Sequence, residues 1–182
     1  MAAVLAITFT WPVCAQDVPI TPDNWMSHPQ IVATRAVYNE VTIACKEKTC
    51  TAFDRTVASM GEYVFRKIVH VDPAFRIRLL EIDQGDEGGT YHAAIYYDSL
   101  SRLRFIFVEM ETYDNDAPED QVVQKTDFRI YYPISPDPFR IPMWVVKSEN
   151  GKYTELGTEV DVSDEIQEIN VRQPYDEFHD ND

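Results

Sequence analysis

The chain has 182 residues, 45% apolar and 12% aromatic, and a formal net charge of −15. That composition belongs to a folded chain rather than a disordered one, and the length suits a single domain with a substantial core. The acidic balance argues against nucleic acid as a partner and points to another protein, most simply a basic one.

Residues 1–15, MAAVLAITFTWPVCA, carry no charged side chain and end in Val13-Cys14-Ala15, a pattern that a signal peptidase accepts. The stretch is too short to span a bilayer and reads as a secretory leader, which places the mature chain in the periplasm or outside the cell. The first base is Arg35, so the usual basic start of a leader is missing. An apolar N-terminal strand of the mature fold is therefore the competing reading. Trp11-Pro12-Val13 lacks the small residue expected before a lipidated cysteine. No later apolar run is long enough for a transmembrane helix, so no stable membrane insertion is expected. The expected organisation is a leader at 1–15, one domain at 16–157 and an acidic tail at 158–182. From residue 155 onward ten acids face a single base, Arg172.

Residues 16–26 read as an extended lead-in with Pro19 and Pro22. Ser27-His28-Pro29-Gln30 then resembles a helix start, with Ser27 as cap, Gln30 closing a capping box, Pro29 in the first turn, and Met26 and Ile31 as a hydrophobic staple. Val32, Ala36, Val37, Val41 and Ala44 recur at helical spacing and predict a helix over 28–44. Cys45 and Cys50 follow. Their C-x4-C spacing fits neither a C-x-x-C redox pair nor half a zinc site. In an oxidising compartment it predicts a local disulfide, worth about 2 kcal/mol for so short a loop; the alternative is two free thiols.

Residues 51–58 suit a strand or a short helix equally. Beyond them the period changes to two, and strands are predicted over 62–71, 74–82, 90–97, 102–111, 122–132 and 141–147, with a weak one over 152–156. The connections Asp72-Pro73, Gly85 to Gly89, Asp98 to Ser101 and Asn150-Gly151 are short turns, and short turns make neighbours antiparallel. The fold class is therefore α+β: an N-terminal helix packed on an antiparallel β-meander, of the cystatin-like or NTF2-like kind. A partly closed meander barrel is the alternative.

Strict alternation divides the sheet into two faces. One carries Phe75, Ile77, Leu79, Tyr91, Ala93, Ile95, Tyr97, Leu103, Phe105, Phe107, Phe128, Ile130 and Tyr132 and needs the helix as its cover. The other carries Arg76, Arg78, His92, Tyr96, Arg102, Arg104, Arg129 and Tyr131. Arg and Tyr dominate binding hot spots, so this face is a candidate docking surface. The competing reading is a solvated face whose arginines pair with acids such as Glu81 and Asp127.

Catalytic signatures are missing from the sequence: it contains no G-x-S-x-G, S-x-x-K, H-E-x-x-H, Walker A or G-x-G-x-x-G. No cofactor, metal or catalytic residue is assigned. His70 with Asp72, or His92 with a neighbouring carboxylate, are weak acid–base candidates. The acidic turns 83–88 and 114–120 do not keep the ligand alternation of a calcium loop. Glu109 and Glu111 share a strand face, and would sit at the mouth of any pocket there. Three functions follow in order: an exported, non-enzymatic binding protein, such as an inhibitor or immunity-type partner of a basic protein; a small-ligand carrier with a pocket between helix and sheet; and a hydrolase using Glu109 and Glu111.

Overall fold

The computed structural model describes residues 18–54, 64–114, 121–134 and 141–162. The leader expected at residues 1–15 and the part of the expected tail beyond residue 162 lie outside the described residues. Helix α1 spans Pro29–Lys46, with Pro29 at its first turn, where a missing N–H costs nothing. Its cap differs from expectation. His28, not Ser27, is the N-cap, and it makes no side-chain cap bond. Ser27 Oγ instead donates to the Asn24 carbonyl at 3.1 Å, and His28 Nε2 donates to the Val18 carbonyl at 3.0 Å. Met26 stays exposed, so it does not staple; Trp25 is buried in its place and packs in one cluster with Ile31. The helix ends at Lys46, and just past its Glu47 cap Lys48 has a φ of 56°. There Thr49 N–H bonds to the Ala44 carbonyl and Lys48 N–H to the Cys45 carbonyl, the paired closure of a Schellman turn.

The strands are β1 Thr51–Asp54, β2 Val64–Val71, β3 Ile77–Asp86, β4 Gly89–Tyr97, β5 Leu103–Asp114, β6 Gln121–Tyr131, β7 Trp144–Glu149 and β8 Lys152–Gly157. They form one eight-stranded antiparallel sheet in sequence order. The ends of the sheet do not pair with each other, so it is not a closed barrel. With α1 packed against it, the class is α+β, as the short turns require. The undecided segment after Cys50 begins as a strand, β1.

The division into faces differs from strict alternation, and two bulges explain it. In the β2–β3 ladder His70 pairs with Leu79 while Val71 pairs with Ile77, leaving Arg78 as an extra residue. In the β4–β5 ladder Tyr96 pairs with Phe105 while Tyr97 pairs with Leu103, leaving Arg104 as an extra residue. Each bulge resets the parity of its strand by one position. Leu79, Phe105 and Phe107 therefore lie on the same side as Tyr96 and Tyr131, opposite to Ile95 and Ile130. The sheet has two apolar faces rather than one apolar and one polar. One packs Leu79, Ala94, Tyr96, Phe105, Tyr131, Trp144 and Val146 against Trp25, Ile31 and Val41. The other gathers residues of β2 to β7 with Val162. No described helix covers that second face. Ile95, Ile106 and Val108 are nonetheless fully buried there.

Two hairpin turns repeat one device. Asp72 Oδ1 accepts from the N–H groups of Ala74 and Arg76, and Asp72 Oδ2 accepts from Arg76 Nε at 2.8 Å. Asp98 Oδ1 likewise accepts from Leu100 and Arg102, and Asp98 Oδ2 from Arg102 Nε at 2.8 Å. Phe75 and Ser101 occupy the same position in the two turns, with φ of 58° and 56°. Phe75, expected in the core, is instead 77% exposed at the tip.

Candidate functional site

Between α1 and the sheet lies a cavity of about 590 Å³, within the range typical of small-molecule sites. Its floor is set by the sheet register. Tyr96, Phe105 and Tyr131 form one cross-strand row, and Ala94, Phe107 and Arg129 the next. Tyr38 on α1 closes over the first row, 4.9 Å from the Tyr96 ring and 5.7 Å from Phe105. Phe105 continues to Tyr131 at 5.0 Å, Tyr131 to Trp25 at 6.3 Å, and Trp25 to Tyr153 of β8 at 6.0 Å. Tilted and edge-on rings at such separations attract one another and hold the wall in shape.

The polar groups of the cavity are separated by sign. At one end, Arg35 of α1 lays its guanidinium 5.0 Å over Trp25 and donates to the Met26 carbonyl at 2.9 Å. Beside it, Arg129 lies 5.9 Å over Tyr153, donates to the Tyr153 hydroxyl at 3.4 Å, and stands 3.2 Å from Asp127 Oδ1 without hydrogen-bond geometry. At the other end are Glu81 and His92. Glu81 accepts from His70 Nε2 at 2.6 Å, and that bond, against the opposing effect of burial, holds its carboxyl below the usual range. His92 Nδ1 is bonded to Asp83 Oδ1 at 2.6 Å. Burial pushes the Tyr96 hydroxyl up to about 12, so it stays a neutral donor.

The eight residues of the candidate docking face separate into three groups. His92, Tyr96, Arg129 and Tyr131 line the cavity. Arg76 and Arg102 clamp the hairpin turns. Arg78 and Arg104 emerge at the two bulges and are buried against α1, where Arg78 Nη2 meets Glu40 at 2.7 Å and Arg104 Nη2 donates to Thr34 Oγ1 at 3.2 Å. Glu109 and Glu111 are both held by Lys125 Nζ, at 2.9 and 3.0 Å, and neither lines the cavity. His70 pairs with Glu81 and Asp72 with Arg76, so the expected His70–Asp72 pair does not form. Cys45 and Cys50 are free thiols, near each other but not at disulfide distance. Burial, followed by the neighbouring Cys50, pushes the Cys45 thiol up to about 12, the opposite of an activated nucleophile.

Among the described residues no group of three His, Cys, Asp or Glu side chains is placed to hold a metal ion. Nor is any described helix long and apolar enough to cross a membrane. Alternation alone missed Arg35, Tyr38, Trp25 and Tyr153, because helix, lead-in and last strand meet only in three dimensions. The recurring Asp-x-x-x-Arg-x-Arg at 72–78 and 98–104 is the sequence signal that marks both bulges. The chain matches no family model, no curated protein and no solved structure.

Proposed function

We propose that this protein is an exported, small-ligand binding protein that carries or sequesters an apolar molecule in the cavity between α1 and the sheet. One observation carries the proposal: an aromatic-lined space of about 590 Å³ under the helix, walled by side chains from seven segments and large enough for a drug-sized molecule. A filled core would have argued for surface recognition alone. The cystatin-like or NTF2-like type belongs to the same proposal, supported by one helix laid across a meander with space beneath it. Export rests on residues 1–15, and a carrier in the periplasm or outside the cell is consistent with the absence of nucleotide-binding motifs from the sequence.

The test is titration with the neutral fluorophore N-phenyl-1-naphthylamine, which brightens in apolar surroundings. We expect saturable binding by the full chain, and loss of that binding in Ala94→Phe, which fills the floor of the cavity. An absence of saturable binding in the unaltered chain overturns the proposal.

A second reading, an exported protein that docks on another protein, is favoured by one different feature. Phe75 and Leu100 are 77% and 64% exposed at the same end of the sheet, each in a turn clamped by an aspartate–arginine pair. The phenylalanine is held there in a backbone conformation that a bulky residue avoids. Recovery of one partner by the full chain, and its loss on Phe75→Ser, is the result this reading expects.

A further inference from the structure

We infer that the ligand of the cavity is an anionic amphiphile, a single carboxylate or similar monoanion on an apolar body, bound with its head at Arg35. This rests on the proposed reading of the cavity as a ligand site. The charges of the cavity carry it. Glu81 is matched by His70, His92 by Asp83, and Arg129 by Asp127. Arg35 alone among these groups has no carboxylate within ion-pair distance among the described residues, and one of its nitrogens donates to a carbonyl. Its guanidinium is held by the Trp25 ring, 5.0 Å away, and by the Met26 carbonyl, so its remaining N–H groups lose little freedom when an anion arrives.

The far end of the cavity reinforces the direction. Glu81 is held ionised there, and an ionised carboxylate repels a second anion. An amphiphile of this kind therefore lies one way only, its head beside Arg35 and Arg129 and its body over Phe105 and Phe107. In a chain of net charge −15, a guanidinium with no carboxylate partner among the described residues selects for a ligand that the rest of the surface repels.

The experiment compares two fluorophores of similar body, 1-anilinonaphthalene-8-sulfonate and neutral N-phenyl-1-naphthylamine, on the full chain. A charge-assisted hydrogen bond favours the sulfonate by about ten-fold or more. Arg35→Gln is expected to abolish that preference, read as the ratio of the two affinities, with a denaturant melt reporting that the variant is folded. Removing Arg35 leaves no carboxylate orphaned, so the variant isolates the charge. Competition then identifies the body: 2-naphthoate displaces the sulfonate probe if rings are preferred, decanoate if a chain is preferred. Displacement by either acid but not by 2-naphthol or decanol supports the inference. Equal affinity for both fluorophores, equal displacement by acid and alcohol, or an unchanged preference in Arg35→Gln overturns it while leaving the carrier reading in place. Failure of both fluorophores to bind overturns the carrier reading itself.

Discussion

Arg104 is 1% exposed, and its Nε and Nη1 have no hydrogen-bond partner among the described residues. Burial pushes its guanidinium pKa down, against the pull of Asp98. A buried charge held by one hydroxyl is costly, and replacing such a group by an apolar side chain of similar length is often neutral or stabilising. Arg104→Met is therefore expected to keep or raise the urea midpoint, whereas Arg104→Ala, which also removes the packing of the stem, loses about 2–4 kcal/mol. A loss of that size in the Met variant would show that the charge itself is needed. Cys45 gives a second prediction at this scale. Its thiol ionises near 9.0 when unfolded but only near about 12 when folded. Above pH 9 the unfolded chain thus binds fewer protons than the folded one. The associated stability is full below pH 9 and is lost as pH rises toward 12. Tyr96 behaves the same way from its ordinary 10.0 to about 12. Under reducing conditions, Cys45→Ala should delay the onset of alkaline destabilisation from near pH 9 to near pH 10. Denaturant melts across that range check it, and an unchanged onset refutes the cause.

At the scale of elements, the paired turns fix the hairpins that position the site. Burial raises the Asp72 carboxyl, but the Arg76 side chain and the N–H groups of Arg76 and Ala74 outweigh it, and the net shift is downward. A folded carboxyl that titrates below its unfolded value stabilises above about pH 4 and loses that contribution as pH falls through the folded value. The matching Asp98 makes the same bonds. Asp98→Ala should therefore cost about 1–3 kcal/mol in denaturant melts, and a cost below about 0.5 kcal/mol would show that the turn does not depend on its aspartate. These elements also show what a sequence conveys and what it hides. Apolar residues at helical spacing placed α1 to within two residues of its observed C-terminal end, and period-two alternation with turn residues placed seven of the eight strands. The faces failed at Arg78 and Arg104 because alternation assumes an unbroken register. One extra residue moved Leu79 and Phe105 to the other side of the sheet.

For the whole molecule, the order of the meander was legible because the β2–β3, β3–β4, β4–β5 and β7–β8 connections are short turns, and α1 is the amphipathic segment available to cover the sheet. The site was only half legible. Tyr96, His92, Arg129 and Tyr131 were recognisable as unusual on a sheet, but their setting under a helix depends on the two bulges and on Trp25, Arg35 and Tyr153 arriving from distant segments. Glu109 and Glu111 looked like the mouth of a pocket from position alone, and Lys125 accounts for them instead. The central claim is that the space beneath α1 is a binding site. Its most direct test is an amide and indole NMR titration of the full chain with N-phenyl-1-naphthylamine. Binding beneath α1 would give saturable shifts at the Trp25 indole, at Arg35 and Tyr38 on α1, and at Ala94, Phe107 and Arg129 on the floor. Shifts confined to the hairpin tips at Phe75 and Leu100, with the Trp25 indole unmoved, would contradict it.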